Sequence, residues 1–181
     1  GYFGKGTPHR FDGYYRIVYN SIIHDTNGDF PSDRLDKFNI KFKDWKKNGS
    51  KIVMVPPSIP MGKFVGVPHE KWIDFTKQEL EKYTDREIIL CQKQKGKKSN
   101  LMELLKDAWV LITDHSNCQV DALVNGVPVI STSPMRKIGS LADVENPVMN
   151  RDFLKNLAYR QWTINEINSG QAWRELNDLP Q

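Results

Sequence analysis

Trp109–Thr132 reads WVLITDHSNCQVDALVNGVPVIST, and the fold turns on how that stretch is parsed. Val110 to Ile112 is a β-branched and apolar run too short for a helix. Ser116 with Gln119 three residues on has the spacing of a capping box, which starts a helix there. Val120, Leu123 and Val124 give that helix one apolar face. Gly126 then takes the position just past the helix end, and Pro128 forbids continuation. Val127, Val129 and Ile130 form the next strand. A strand, helix and strand of this length make a right-handed parallel crossover. In open parallel sheets ligands gather beyond the carboxyl ends of the strands, and Asp114, His115, Ser116 and Asn117 occupy that place.

Outward from there the same alternation repeats. Tyr14–Asn20 is a strand candidate, and residues 24–32 (HDTNGDFPS) are dense in turn formers. Arg34–Lys47 has mixed periodicity. Lys51–Val55 is a strong strand stopped by Pro56-Pro57. A helix opens at Pro68 and runs to about Tyr83, with Trp72, Phe75, Leu80 and Tyr83 as its buried stripe. Glu87–Cys91 is the next strand, and Asn100 with Glu103 caps a short helix through Lys106. From Met149 the pattern is helical: Phe153, Leu154, Leu157, Ala158, Gln161 and Trp162 recur at helical spacing. Thr163 with Glu166 is a second capping box, and Gly170 interrupts again before Ala172, Trp173 and Leu176. The reading is an α/β fold: a parallel sheet with helices on both faces, Rossmann-like, with a helical C-terminal tail. It divides the chain into an opening segment (1–32), a Rossmann-like domain (33–148) and a tail (149–181) that packs back on the domain.

Composition narrows the function classes. The 181 residues suffice for one domain, or a domain and a piece of another. The chain opens at Gly1 rather than Met, which reads as a missing or processed start and leaves room for a larger parent protein. The net charge is +4, with basic runs at residues 41–51 and 93–98. Such runs are most often solvated faces, and an anionic ligand is the minority reading. Two cysteines, Cys91 and Cys118, form neither a disulfide framework nor a zinc spacing, which fits a reducing compartment. No span for a membrane and no signal peptide is visible, so the expectation is a cytoplasmic protein. GxGxxG, GxSxG and P-loop fingerprints are absent, since Gly4–Thr7 lacks a preceding strand and a first glycine at the right distance.

What remains is a helix N-terminus at the carboxyl end of a strand. Free backbone N–H groups and the helix dipole bind anions there, and Ser116 and Asn117 can add hydrogen bonds to a phosphate. Asp121, five residues after Ser116, could accept from ribose hydroxyls. The bland alternatives are that Ser116 is a plain N-cap and Asp121 an exposed helix residue.

The run Ser116-Asn117-Cys118-Gln119-Val120-Asp121-Ala122, then Gly126-Val127-Pro128-Val129-Ile130, resembles the C-terminal nucleotide-sugar half of GT-B glycosyltransferases. Many members have Ser, four residues, Glu-Ala, then Gly-x-Pro-Val-Ile; here Asp121 stands for the Glu, with a shorter reach. Gly1-Tyr2-Phe3-Gly4, the Asn20 region, Val55-Pro56-Pro57-Ser58, Thr84-Asp85-Arg86, Leu157–Trp162 and Ser169–Trp173 look like a group of phage-encoded glycosyltransferase-like proteins. The resemblance implies a GT-B-like fold reduced to little more than one half, because 181 residues is short for two. By position it makes Ser58, His115, Lys93 and Lys95 further ligand candidates, the lysines to neutralise a diphosphate. The bland alternative for the lysines is a solvated basic loop. Ser131 and Thr132 belong to a loop that would close over the sugar or nucleotide.

The resemblance implies a transferase that moves a sugar from a nucleotide-sugar to an acceptor. No essential metal or other cofactor is expected, and the chain has no DxD motif. In a phage setting the compartment is the host cytoplasm and modified bases in DNA are candidate acceptors, although no nucleic-acid-reading motif is present. Inverting transfer needs a general base, for which Asp12, His24 and Asp25 in the opening segment are candidates. The rival reading is a non-catalytic module, a degenerate GT-B half that binds a nucleotide or a protein partner. A sugar-nucleotide epimerase of related fold is the third.

Overall fold

The computed structural model describes residues 13–17, 29–92, 99–133 and 138–178. By contacts the chain divides into two units, Lys41–Asn150 and a second made of the residues up to Ile40 and from Arg151 onward. The opening candidates Asp12, His24 and Asp25 lie outside the described residues, as do Lys93 and Lys95.

The unit of residues 41–150 is a parallel four-stranded sheet with helices on both sides, the build of a single Rossmann-like lobe. Its strands are β2 (Lys51–Val55), β3 (Glu87–Leu90), β4 (Ala108–Thr113) and β5 (Val129–Ser131), in spatial order β3-β2-β4-β5. In this unit the strands expected from the sequence are all present, each within two residues of its expected ends. β2 and β4 form the middle, which is why Ile52, Val53, Met54 and Val110–Ile112 are apolar without alternation: both faces are covered. One face gathers Ile52, Met54, Val110, Ile112 and Ile130 against Trp72, Leu80 and Val144. Two indoles there find acceptors: Trp109 Nε1 donates to the Val144 carbonyl at 2.8 Å and Trp72 Nε1 to Thr132 Oγ1 at 2.7 Å.

Helices α2 (Ile59–Phe64) and α3 (His69–Leu80) lie between β2 and β3, α4 (Leu101–Leu104) between β3 and β4, and α5 (Cys118–Val124) between β4 and β5. In α3 the stripe differs from expectation. Trp72, Thr76 and Leu80 are buried, whereas Phe75 and Tyr83 are exposed. Residues 72, 76 and 80 fall within about 80° of arc, which turns position 75 to the rim, and the helix ends before 83. α5 ends in a full Schellman motif. Gly126, at φ +73°, donates to the Leu123 carbonyl and Val127 donates to that of Ala122. The Gly126 carbonyl in turn accepts from Lys46 N at 2.8 Å, tying the 41–50 segment to the end of α5.

The second unit pairs β1 (Tyr14–Arg16) antiparallel with β6 (Gln161–Thr163). Around this ribbon lie α1 (Asp33–Asp36), α6 (Asp152–Ala158), α7 (Ile164–Asn168) and α8 (Gln171–Asp178). The tail is therefore not helical throughout: Gln161 and Trp162, placed on a helix by their spacing, are strand residues. Strand pairing to Tyr15 overrides the local period. The Thr163–Glu166 capping box forms as expected, and Gly170 breaks the chain at φ +73° before α8.

Candidate functional site

The polar ends of β2, β3 and β4 converge because each strand stops on a residue that cannot extend it or on a side chain that ties it to its neighbour. After β2, Pro56-Pro57 ends the ladder and Ser58 caps α2, its Oγ accepting from Met61 N at 3.4 Å. After β3, Cys91 N still donates to the Met54 carbonyl at 2.8 Å. At the end of β4, Thr113 Oγ1 donates to the Val55 carbonyl at 2.7 Å, and Ser131 Oγ donates to the Asp114 carbonyl. These bonds fix the turn after β4.

Over these ends opens a cavity of about 620 Å³. The turn after β2 supplies Pro56, Pro57 and Ser58 and the start of α2 Ile59 and Met61; the end of β3 supplies Cys91 and Gln92; the turn after β4 supplies His115, Ser116 and Asn117. His69, the first residue of α3, completes one side. The place matches the general rule for open parallel sheets: β3 lies on one side of β2 and β4 on the other, so the strand order reverses between β2 and β4. The volume falls within the range of small-molecule sites.

Four sequence-predicted residues, Ser58, His115, Ser116 and Asn117, line this cavity together. Asp121, Ser131 and Thr132 are not among its lining residues. Asp121 is exposed on α5, where the surrounding protein pushes its carboxyl above the usual range. Ser131 is buried and spent on the Asp114 carbonyl, and Thr132 Oγ1 accepts from Trp72. The turn before α5 also differs from expectation. Ser116 and Gln119 make no capping box; the helix starts at Cys118, with Asn117 before it in helical conformation. Gln119 is buried, and its Nε2 donates to the Asp114 carbonyl at 3.4 Å instead of capping. The amides of Cys118, Gln119 and Val120 already face Ser116 Oγ, Ser116 O and Asn117 O. With seven residues and its first amides engaged, α5 offers little as an anion cradle.

The sequence reading missed two features. His69 Nδ1 faces the Pro57 carbonyl at 2.7 Å, and because a carbonyl only accepts, Nδ1 carries the proton; Nε2 then meets Gln92 Nε2 at 3.1 Å. The second is the pairing of Asp114 with His115. Asp114 Oδ2 contacts His115 Nδ1, and both side chains are almost fully buried. A charged residue directly after an apolar strand was the one available signal for it. Burial pushes the thiol of Cys91, which lines the cavity, up and that of Cys118, at the start of α5, up to about 11, and a raised thiol is a poorer nucleophile. Among the described residues, no group of three or more His, Cys, Asp or Glu could hold a metal ion, and no helix is long and apolar enough to cross a membrane.

Comparison of the chain with models of protein families, with curated proteins and with solved structures finds no match in any of the three.

Proposed function

We propose that this lobe binds a nucleotide-sugar in the cavity at the ends of β2, β3 and β4 and transfers the sugar to an acceptor hydroxyl. The cavity at the point of strand-order reversal carries the reading, because that is where α/β sheets of this build hold nucleotides. The Ser116–Ala122 and Gly126–Ile130 resemblance to GT-B enzymes supports the donor class, with Ser58, Ser116 and Asn117 as donor contacts. Lys93 and Lys95 would neutralise the diphosphate, and a base in phage DNA is a candidate acceptor. Thermal-shift screening with UDP, GDP, CDP and their hexose conjugates tests it. A ligand at a hundred times its dissociation constant adds about 2.7 kcal/mol, which for a chain of this size raises Tm by about 5–10 °C. No shift with any of them overturns the reading.

The exposed position of Asp121, outside the cavity lining, and the engaged first amides of α5 favour a second reading, a lobe that binds a nucleotide without transferring anything. Hydrolysis of the bound donor, measured with and without DNA, separates the two.

A further inference from the structure

We propose that His115, held by Asp114, is the general base of this site, taking the proton of the attacking hydroxyl on its Nε2. This rests on the reading of the cavity as a nucleotide-sugar site and supplies a proton acceptor from the lobe itself. Asp114 is 2% exposed, and a carboxylate removed from water needs a charged or hydrogen-bonded partner. His115 Nδ1 is that partner, and because a carboxylate only accepts, the Nδ1 position carries the proton. In the neutral ring Nε2 is then the bare nitrogen, and among the described residues no hydrogen bond reaches it.

His115 lines the same cavity as Ser58 and Ser116, and its side chain keeps 8% of its surface exposed. His69 cannot do this work, since its Nδ1 is committed to Pro57 and its Nε2 to Gln92. Burial pushes the Cys91 thiol up, which disfavours its thiolate as a competing base. In the step, the acceptor oxygen bonds to the anomeric carbon as the bond from that carbon to the diphosphate oxygen breaks. The leaving electron pair departs with the nucleoside diphosphate, and the acceptor proton moves to His115 Nε2. Water in place of the acceptor gives free sugar by the same displacement. A single displacement inverts the anomeric centre. Asp114 touches no substrate in this scheme; it is a positioning residue that fixes the tautomer.

The test compares wild type with His115→Gln and Asp114→Asn, using whichever of the UDP-, GDP- or CDP-hexoses binds. His115→Gln is expected to bind the nucleoside diphosphate as wild type does by calorimetry, while donor hydrolysis falls by about 10²–10⁴-fold. Asp114→Asn is expected to lower kcat with little change in KM, and the wild-type product is expected to be the inverted anomer by NMR. A His115→Gln protein that keeps its kcat, or a wild type that binds donor without turning it over, overturns the base assignment while leaving the binding reading intact. Absence of nucleotide binding overturns the binding reading. The ¹⁵N histidine spectrum of the free protein decides on the dyad separately: Nδ1–H with bare Nε2 is expected, and the opposite tautomer for His115 overturns the assignment.

Discussion

Gly126 and Asp44 meet backbone to backbone: a Cβ on Gly126 would lie 2.0 Å from the Asp44 carbonyl oxygen. Position 126 is thus fixed twice, by its φ of +73° and by the segment that crosses the end of α5. Gly66 has the same φ but nothing within 4 Å of where its Cβ would be. Gly66→Ala is therefore expected to cost only the left-handed strain, about 1 kcal/mol. Gly126→Ala adds an overpacking term and is expected to cost about 3 kcal/mol or more. Urea midpoints of the two variants measure the difference; equal midpoints would mean that the close approach is absent.

That pair also shows what could be read from the residues alone. The strand ends, the stop at Pro56-Pro57, the Gly126 terminus and the Thr163–Glu166 capping box were legible because each is a local rule acting within a few residues. The approach of Asp44 to Gly126 was not, since 82 positions separate them. Gln161 and Trp162 escaped for the same reason, their strand partners being Arg16 and Tyr15. At the candidate site, the turn after β4 could be located but its wiring could not. Gln119 has the right spacing to cap Ser116, yet its amide goes to the Asp114 carbonyl. His69 reaches the cavity only because α3 folds back to Pro57, a contact no local pattern encodes.

Arg34 should be the side chain whose removal most disturbs the unit that contains β1 and β6. It is 3% exposed; its Nη2 donates to the Gln161 carbonyl at 2.7 Å and its Nη1 to Glu166 at 3.1 Å. Its guanidinium also lies 4.0 Å from the centre of the buried Trp162 ring. Arg34→Met leaves the buried Gln161 carbonyl and Glu166 without that donor, an expected loss of about 3–5 kcal/mol. Glu175→Gln weakens the longer, more exposed arm at 3.4 Å and touches a bond from Gln171 Nε2 at 2.7 Å, and is expected to cost under about 1 kcal/mol. Chemical denaturation of both variants checks the ranking, and the idea fails if Glu175→Gln costs as much as Arg34→Met.

Glu166 gives this unit an acid limb. Burial works against its charged form, but the Thr163 backbone N–H and the Arg34 guanidinium outweigh that and hold its carboxyl below the usual glutamate range. A carboxyl with a depressed folded pKa leaves the unfolded chain binding more protons over the interval between the two values. Its stabilisation is complete above the ordinary value of about 4.5 and is lost as pH falls through the lower folded value. The denaturant midpoint should therefore drop on going from pH 5 to pH 3, and Glu166→Gln should flatten that part of the profile. An unchanged slope in the variant would assign the acid sensitivity to other carboxylates.

The two cysteines offer a chemical probe of the cavity. Both are free and buried, and burial raises both thiols, that of Cys118 to about 11. Alkylation requires thiolate, so at pH 8 neither should label quickly in the folded protein, and both should label fully in denaturant. They differ in place: Cys91 lines the cavity and Cys118 begins α5. Slow iodoacetamide labelling of the native protein, followed by peptide mass spectrometry, is therefore expected to favour Cys91. A nucleoside diphosphate that fills the cavity should slow labelling at Cys91 and leave Cys118 unaffected. Protection of Cys118 alone would place the ligand outside the cavity at the ends of β2, β3 and β4.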